Sequence, residues 1–298
     1  MNILVSLDKK YLFPTCVMLK SLFNKSSKQL TVYAFVRDIT MDDVYYLCNF
    51  VEKHSHKIEV IEIKDADYQK LGLDKYYDDI NLTQHLTMSA FNRLLLLYKL
   101  PLDLNKILYL DSDMIVNRSL DDLYSLDLDR DRMAAAVVEG FAFKDPDFIS
   151  LASKNPDNAM RLIEFSRQFR LKIGLSEEEK YFNSGVMLFN LNVLRNSKFN
   201  DNVSSFIESN ECASDADQTI LNAVLRTRVK YIPFLYNVRP GDFSASNKDY
   251  IEKFSYIIHY NQKPWTNHHL LCGKSWWINA FKVDFLLALN VWFRKEVF

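Results

Sequence analysis

The sequence is poor in the residues that interrupt regular structure or cross-link a chain. Its 298 residues include only 6 glycines, 7 prolines and 4 cysteines. So few glycines and prolines exclude a long flexible linker, and the chain has no internal repeat or low-complexity segment. The cysteines are scattered and form no C-x-x-C pair. This spacing favours reduced thiols over a disulfide or zinc framework.

The charge balance and the lengths of the apolar segments exclude further classes. Lys and Arg total 37 against 38 for Asp and Glu, so the net charge of -1 gives no general attraction to nucleic acid or to an anionic membrane. The longest apolar stretch, about residues 283–293, is interrupted by Asp284 and Asn290 and is too short to span a bilayer. The N-terminus lacks the basic segment of a secretory signal. We therefore expect a cytoplasmic protein that binds no nucleic acid.

Short apolar segments alternate with helical patterns along the N-terminal part of the chain. Strand-like residues 3–7, 30–36 and 58–63 are separated by two helical stretches, the second of which starts at Thr40 as N-cap followed by two acidic residues. Such alternation predicts βαβ units around a largely parallel sheet. We expect one α/β domain with a mixed, Rossmann-like sheet flanked by helices.

Two carboxylates follow a strand in the middle of the chain. Residues 106–110 form a short apolar segment typical of a buried strand, and Asp111-Ser112-Asp113 comes at its carboxyl end, where open α/β sheets bind ligands. Because the chain turns there, both carboxylates can reach one ion. Mn²⁺ or Mg²⁺ at this position would bind the phosphates of a nucleotide sugar and stabilise the leaving group. A solvated turn is the alternative for an isolated motif of this kind.

Further candidate groups lie in two other segments. A Leu-rich helix predicted for residues 87–100 has Arg93 as its only charge before Lys99, so Arg93 needs an anionic partner, either a site carboxylate or the ligand. His259, at the end of a late strand, could add a nitrogen ligand that favours Mn²⁺ over Mg²⁺, and Lys263 beyond it suits a phosphate. The alternatives are a strand-end histidine without metal and a surface lysine.

Two polar segments in the second half of the chain complete the set of candidate site residues. The tripeptide Asn-Ser-Gly at 183–185 lies in a predicted strand, where it permits a bulge or a close backbone approach. The segment Ser-Asp-Ala-Asp-Gln at 214–218 has two interpretations. Either Ser214 is the N-cap of a helix with Asp217 as its capping-box partner, or Asp217 and Gln218 start the helix and face a bound sugar.

Taken in order, these segments resemble glycosyltransferase family 8, a retaining family that includes bacterial lipopolysaccharide galactosyl- and glucosyltransferases and glycogenin. The similar stretches are the opening strand with Asp8, Phe-Asn-Arg-Leu at 91–94, Leu-Tyr-Leu-Asp-Ser-Asp at 108–113, Tyr-Phe-Asn-Ser-Gly-Val at 181–186, Asp-Gln at 217–218, and His-Tyr with Lys-Pro-Trp between 259 and 265. An ordered set of motifs is far more specific than any single one.

The resemblance implies a GT-A fold over residues 1–265, with a helical insertion at 141–180 over the active site and a helical tail at 266–298. It also implies a UDP-hexose donor and Mn²⁺, or Mg²⁺, held by Asp111, Asp113 and His259. Residues that would bind or surround the donor are Asp8, Arg93, Asp111, Ser112, Glu139, Asn183, Ser184 and Lys263. Asp217 and Gln218 would lie near the reacting carbon of the sugar as the catalytic pair.

The leading hypothesis is transfer of galactose or glucose from UDP to a cell-surface glycan or a lipid-linked acceptor, with retention at the anomeric carbon. Retention requires either a nucleophile beneath that carbon or attack from the face of the leaving group. An amide such as that of Gln218 is a poor nucleophile, so we favour same-face attack.

Two other hypotheses belong to different classes. One is a phosphatase of the haloacid-dehalogenase type with Asp111 as nucleophile, although Ile115 stands where such enzymes usually have Thr or Val. The other is a catalytically silent protein that binds a nucleotide sugar or glycan. Hydrolysis of UDP-galactose and UDP-glucose, with and without Mn²⁺, distinguishes an enzyme from a silent binder.

The carboxyl end is rich in Trp and Phe, with Lys282 and Arg294 among them. Aromatic and cationic residues together suit peripheral contact with the cytoplasmic face of a membrane. On a helical wheel, however, the charges fall on different sides, so the segment lacks a polar face. Packing of Trp276 and Phe281 on the catalytic domain explains the composition equally well.

Overall fold

The computed structural model describes residues 1–77, 87–139, 167–168, 170–171, 173–176, 178–209 and 216–294. Most of the insertion expected at 141–180 lies outside these ranges, and so does Ser214.

The strands in these ranges form two sheets. They are β1 (Asn2–Leu7), β2 (Thr31–Val36), β3 (Lys57–Glu62), β4 (Lys106–Leu110), β5 (Met114–Val116), β6 (Ala134–Val138), β7 (Phe182–Asn190), β8 (Val229–Ile232) and β9 (Ile257–His259). The main sheet has the order β3-β2-β1-β4-β7-β6-β8, and only β7 runs antiparallel to its neighbours in it. β5 and β9 form a separate antiparallel pair. The predicted mixed α/β sheet is confirmed.

The described helices cover both faces of the main sheet. They are α1 (Leu12–Phe23), α2 (Met41–Glu52), α3 (Asp65–Gln69), α4 (Leu96–Lys99), α5 (Asp121–Ser125), α6 (Leu191–Arg195), α7 (Phe199–Ser209), α8 (Asp217–Leu225), α9 (Lys248–Phe254), α10 (Gly273–Val283) and α11 (Phe285–Arg294). Thr40 caps α2 as predicted: its hydroxyl accepts from the Asp43 amide, and the Asp43 carboxylate accepts from the Thr40 amide.

The segment predicted as an α-helix at residues 87–100 has a different form. It is a 3₁₀ helix, Met88–Leu95, that continues into the short α4. A 3₁₀ helix repeats every three residues, so Met88, Phe91 and Leu94 share one side and enter the core. The apolar pattern of the sequence is compatible with either helix, which is why it did not reveal the tighter one.

Alternation along the central strands explains the two hydrophobic layers. On β1, Leu4 packs into one layer, whereas Ile3 and Val5 pack into the other. The first layer is covered by the 3₁₀ helix, α7 and α8, and the second by α1, α2 and α5. Because both faces are covered, the carboxyl ends of the strands are the natural place for a site.

β7 carries the irregularity that Asn-Ser-Gly predicted. Between Ala136 and Val137 of β6, the paired residue on β7 jumps from Met187 to Asn183, so residues 184–186 leave this ladder. Against β4, the register of β7 is regular. The bulge therefore brings the polar residues of β7 to the carboxyl end of β4.

α10 packs on α1 through buried aromatic side chains. Trp276 is 0% exposed, and its ring centroid lies 6.2 Å from that of Phe13 and 5.5 Å from that of Trp265. This contact supports the packing interpretation of the carboxyl end. α11, by contrast, has four exposed apolar side chains, Phe285, Leu286, Trp292 and Phe293.

In the part of the chain that the structure describes, no helix is both long and apolar enough to cross a membrane. Peripheral membrane contact stays a prediction, and sedimentation of the full-length protein with liposomes tests it.

Asp67 on α3 ties that helix to α4 and so steadies the 3₁₀ helix that precedes α4. Its carboxylate lies 2.6 Å from Lys99 Nζ and 3.0 Å from Lys70 Nζ, and it accepts from the Lys64 amide at 2.9 Å. Burial acts to raise the pKa of Asp67, but the hydrogen bonds from Lys99 and Lys64 outweigh it and lower the pKa to about 2.

We predict that Asp67→Asn lowers the free energy of unfolding by about 1–2 kcal/mol at neutral pH. Because the pKa of the folded carboxylate lies below its ordinary value of 3.8, this contribution is complete well above that value and is lost as the pH falls toward 2. Denaturant unfolding at pH 7 and at pH 3 measures it, with the exposed Asp103→Asn as control. An equal difference between wild type and Asp67→Asn at both pH values would contradict the account.

Candidate functional site

Three side chains with metal-binding atoms meet beyond the carboxyl end of β4. Asp111 and Asp113 follow β4, and β9 ends at His259, opposite Met114 at the start of β5. The ligand atoms of the three residues lie within 4.8 Å of one another. His259 Nε2 is 3.3 Å from Asp113 Oδ1 and 3.7 Å from Asp111 Oδ2. The structure thus brings together the three residues that sequence analysis proposed as metal ligands.

The donor set and the space around it fit a divalent cation. Two carboxylates and an imidazole suit Mn²⁺, and the carboxylates also suit Mg²⁺. Gly185 of β7 keeps the space between them open. A Cβ atom at this position would come within 2.5 Å of His259 Cε1 and 2.7 Å of Asp111 Oδ2. Any residue other than glycine would therefore push the ligand side chains apart.

Arg93 compensates the carboxylates from within the protein. Its Nη2 is 2.7 Å from Asp111 Oδ1, its Nε is 3.0 Å from Asp217 Oδ2, and its Nη1 donates to the Ser184 carbonyl at 2.5 Å. The guanidinium also lies 3.8 Å from the ring centroid of Tyr109. Arg93 is only 4% exposed. Of the two partners considered for it, the site carboxylates are the ones it contacts.

The electrostatics of the cluster favour added positive charge. Burial acts to raise the pKa of Asp111, but Arg93 and then His259 hold it below its ordinary value. Burial, helped by the Asp111 charge and opposed by Arg93, raises the pKa of Asp217 to about 6. Burial would lower the pKa of His259, yet Asp113 and Asp111 raise it. A cation between the carboxylates would take the place of the histidine proton.

α8 begins at Asp217, with Ala216 at the N-cap. The capping-box interpretation of Asp217 is therefore wrong, because its carboxylate binds Arg93 and accepts from Ser184 Oγ at 3.2 Å. Gln218 Oε1 accepts from the Ser184 amide at 2.9 Å. Both residues hold the bulged part of β7. Local sequence could not show this, because the charge that holds Asp217 comes from a distant helix.

A row of hydrogen-bonded polar side chains connects His259 to Asn183 at the start of β7 and to Glu139 beyond it. His259 Nδ1 lies 2.9 Å from Asn237 Oδ1, and Asn237 Nδ2 donates to Asn183 Oδ1 at 2.7 Å. Asn183 Nδ2 donates to Glu139 Oε2 at 3.1 Å, and Glu139 also forms an ion pair with Arg239. The expected donor-binding residues Glu139 and Asn183 are thus linked to His259, the histidine predicted to be a metal ligand.

The other predicted residues surround the cluster with their own contacts. Asp8 is nearly buried and accepts from the Tyr11 amide at 3.2 Å, which caps a short 3₁₀ helix. The Ser112 hydroxyl lies 2.7 Å from Thr15 Oγ1, so it is bound to α1. Lys263 Nζ lies 5.8 Å from the ring centroid of Tyr11. Tyr11 thus contacts Asp8 through its backbone amide and has Lys263 beside its ring.

Sequence analysis missed Asn237, Arg239 and Asp242, which lie in the irregular segment between β8 and β9. Arg239 Nη2 is 2.6 Å from Asp242 Oδ2, and its other partner is Glu139. One local signal was present, since Arg-Pro-Gly-Asp at 239–242 forms a turn that brings opposite charges together. Nothing in the local sequence marks Asn237, whose partners are distant along the chain.

Comparison with known proteins gives a family match over most of the chain. The model for "Glycosyl transferase family 8" matches residues 2–269. A putative glycosyltransferase of Haemophilus influenzae is 25% identical over 243 residues, which cover 81% of this chain and 64% of that protein. The lipopolysaccharide 1,2-glucosyltransferase of Escherichia coli is 20% identical over 296 residues, which cover 95% of this chain and 78% of that protein. The chain thus spans less than two thirds of the first of these relatives.

Solved structures share the fold. The galactosyltransferase LgtC, solved in complex with donor and acceptor sugar analogs, superposes with a TM-score of 0.72 at 21% identity and covers 95% of this chain and 96% of its own. The glycosyltransferase GlyE of Streptococcus pneumoniae superposes with a TM-score of 0.63 at 24% identity, over 99% of this chain and 64% of its own. At these identities the likeness establishes the GT-A architecture.

We predict that Gly185→Ala weakens Mn²⁺ binding by about tenfold or more, because its Cβ would displace His259 and Asp111. Isothermal titration with Mn²⁺, alongside thermal unfolding of each protein, measures the effect. Gly241→Ala is the matched control, since a Cβ there meets nothing within 4 Å. Wild-type affinity in a folded Gly185→Ala protein would refute the role given to the glycine.

Proposed function

The chain belongs to glycosyltransferase family 8, and on that premise we propose that it transfers galactose or glucose from UDP to a cell-surface glycan or lipid-linked acceptor, with retention at the anomeric carbon. The observation that carries this proposal is the meeting of Asp111, Asp113 and His259 at the carboxyl end of β4. Open α/β sheets bind their ligands at this end, and a diphosphate needs a cation there.

In this proposal, Asp111, Asp113 and His259 hold Mn²⁺ or Mg²⁺. The bound metal would neutralise charge on the diphosphate as its bond to the sugar breaks. Lys263 adds a second positive charge for the phosphates from the side of Tyr11. Asp8, which accepts from the Tyr11 amide, is assigned to the uridine or ribose.

The bulged part of β7 is assigned to the donor sugar. Ser184 lies in the bulge, Asn183 precedes it, and Glu139 lies beside them just after β6. Asn183 donates to Glu139, and the Ser184 amide donates to Gln218, so these hydrogen bonds fix their orientation. Arg93 is assigned to the support of this region, because it joins Asp111 to the Ser184 carbonyl. A pre-oriented polar surface of this kind binds a hydroxylated ligand with little loss of side-chain entropy.

The surroundings of Asp217 support same-face attack. Its carboxylate is held by Arg93 and by the Ser184 hydroxyl, so a bond from it to the anomeric carbon would require breaking a buried ion pair. Gln218 is the other candidate nucleophile, and an amide is a weak one. In the proposed reaction, the acceptor hydroxyl therefore attacks on the face from which UDP departs, and a leaving phosphate oxygen receives its proton.

Family membership leaves the phosphatase hypothesis without support. A catalytically silent sugar-nucleotide binder with the same fold remains the second candidate. The complete ligand set at residues 111, 113 and 259 favours an enzyme. Hydrolysis of UDP-galactose and UDP-glucose, with and without Mn²⁺, separates the two, and a panel of donors followed by mass spectrometry identifies the sugar.

We predict that turnover requires a divalent metal and that an α-linked donor gives an α-linked product. Asp113→Asn should lower kcat by at least about a hundredfold, because the metal supplies several kcal/mol of charge stabilisation. Asp122→Asn on α5 is a control with an exposed carboxylate. Proton NMR of the product reports the anomeric configuration. A β-linked product, or full activity in excess chelator, would overturn the mechanism.

A further inference from the structure

Asn237 occupies the gap between the metal-binding histidine and the residues assigned to the donor sugar. It is 7% exposed, and both ends of its side-chain amide are engaged. An asparagine amide has one accepting and one donating end, so each contact fixes the polarity of the next. The donor and acceptor ends of both asparagine amides can therefore be assigned from neighbouring groups that can only donate or only accept.

Two such groups anchor the row at Asn183. The backbone N–H of Gly185 can only donate, and it lies 3.0 Å from Asn183 Oδ1. The Glu139 carboxylate, which forms an ion pair with Arg239, is an acceptor, and it lies 3.1 Å from Asn183 Nδ2. Both contacts require the same orientation of the Asn183 amide. Its oxygen is thus the atom presented to Asn237.

The orientation of Asn237 follows from that of Asn183. Its Nδ2 must donate to Asn183 Oδ1, at 2.7 Å, which leaves its Oδ1 facing His259 Nδ1 at 2.9 Å. His259 Nδ1 must then carry a hydrogen. In the neutral imidazole, the lone pair is left on Nε2, the atom nearest the two carboxylates.

We propose that Asn237 is a positioning residue that selects the Nδ1–H tautomer of His259 and couples this histidine to Asn183. The inference rests on the proposed function, since it takes Asp111, Asp113 and His259 as the metal ligands. Asn237 belongs neither to the proposed metal ligands nor to the residues assigned to the donor sugar. Its side chain would link metal binding to recognition of that sugar.

The backbone around Asn237 is held independently of its side chain. The Val238 amide donates to the Ile257 carbonyl at 3.0 Å, and the His259 amide donates to the Val238 carbonyl at 2.8 Å. Changing the side chain of Asn237 should therefore leave β9 in place. The effect of a substitution will reach His259 and Asn183 through the lost hydrogen bonds.

Two substitutions separate the two contacts. Asn237→Leu has a similar volume and forms neither hydrogen bond. Asn237→Asp still accepts from His259 Nδ1–H, as carboxylates do behind metal-bound histidines, but it cannot donate to Asn183 Oδ1. Titration calorimetry with Mn²⁺ alone measures the first contact. Binding of the UDP-sugar at saturating Mn²⁺ measures the second.

For Asn237→Leu, we expect the Kd for Mn²⁺ to rise by about 10- to 100-fold. For Asn237→Asp, we expect a Kd for Mn²⁺ within about threefold of the wild type, together with donor binding weakened by about tenfold. A merely structural role would not produce this split, because both variants would then lose metal and donor binding together.

Asn190→Ala is the matched control. This asparagine lies at the other end of β7, where it accepts from the Val193 amide at 3.2 Å, so its loss should affect stability without changing the Kd for Mn²⁺. Unchanged Mn²⁺ affinity in a folded Asn237→Leu would overturn the inference, as would loss of Mn²⁺ binding in Asn237→Asp. If Asn237→Leu does not fold, the Asn237→Asp measurements decide alone.

The wild-type protein distinguishes this inference from the proposed function. Absence of Mn²⁺ binding to the wild type, or binding that Asp113→Asn leaves unchanged, would refute the proposed metal site itself. Mn²⁺ binding that depends on Asp113 but not on Asn237 would refute the positioning role alone.

Discussion

The buried guanidinium of Arg93 is the interaction on which the rest of the site depends. It lies between Asp111, which follows β4, and Asp217, which starts α8, and it also binds the backbone of β7 at Ser184. Without these partners the buried cation would cost several kcal/mol, and without the cation the two carboxylates would repel each other. One side chain thus fixes three elements that are distant in sequence, and it leaves the outer oxygen of Asp111 facing Asp113 and His259.

The space between the Asp111 carboxylate and the His259 imidazole is determined by the backbone of β7. The bulge at residues 184–186 brings the strand across the end of β4, and Gly185 lets it pass within contact of the carboxylate and imidazole. The same bulge aims Asn183 at Glu139 and Asn237. The proposed metal site and the residues assigned to the donor sugar are consequently both shaped by this one irregularity in β7.

Sequence analysis succeeded where a property is local. Alternating apolar segments predicted the sheet, the carboxylates at 111 and 113 followed a recognisable strand, and Asn-Ser-Gly indicated the bulge. It left the choice open where the deciding partner is distant: Asp217 has the spacing of a capping box and could also start the helix, and its partner Arg93 lies in another helix. The same reason explains why Asn237 was missed, since its partners are His259 and Asn183. The 3₁₀ form of residues 88–95 was missed because its apolar repeat resembles that of an α-helix.

The central claim is that the charges arranged by Arg93 and Gly185 form a metal site for a nucleoside diphosphate. Anomalous diffraction from crystals grown with Mn²⁺ and UDP tests it most directly. The account predicts one manganese peak bound by the carboxylates of Asp111 and Asp113, by His259 Nε2 and by phosphate oxygens of UDP. Manganese bound elsewhere, or bound at this site without His259, would contradict it.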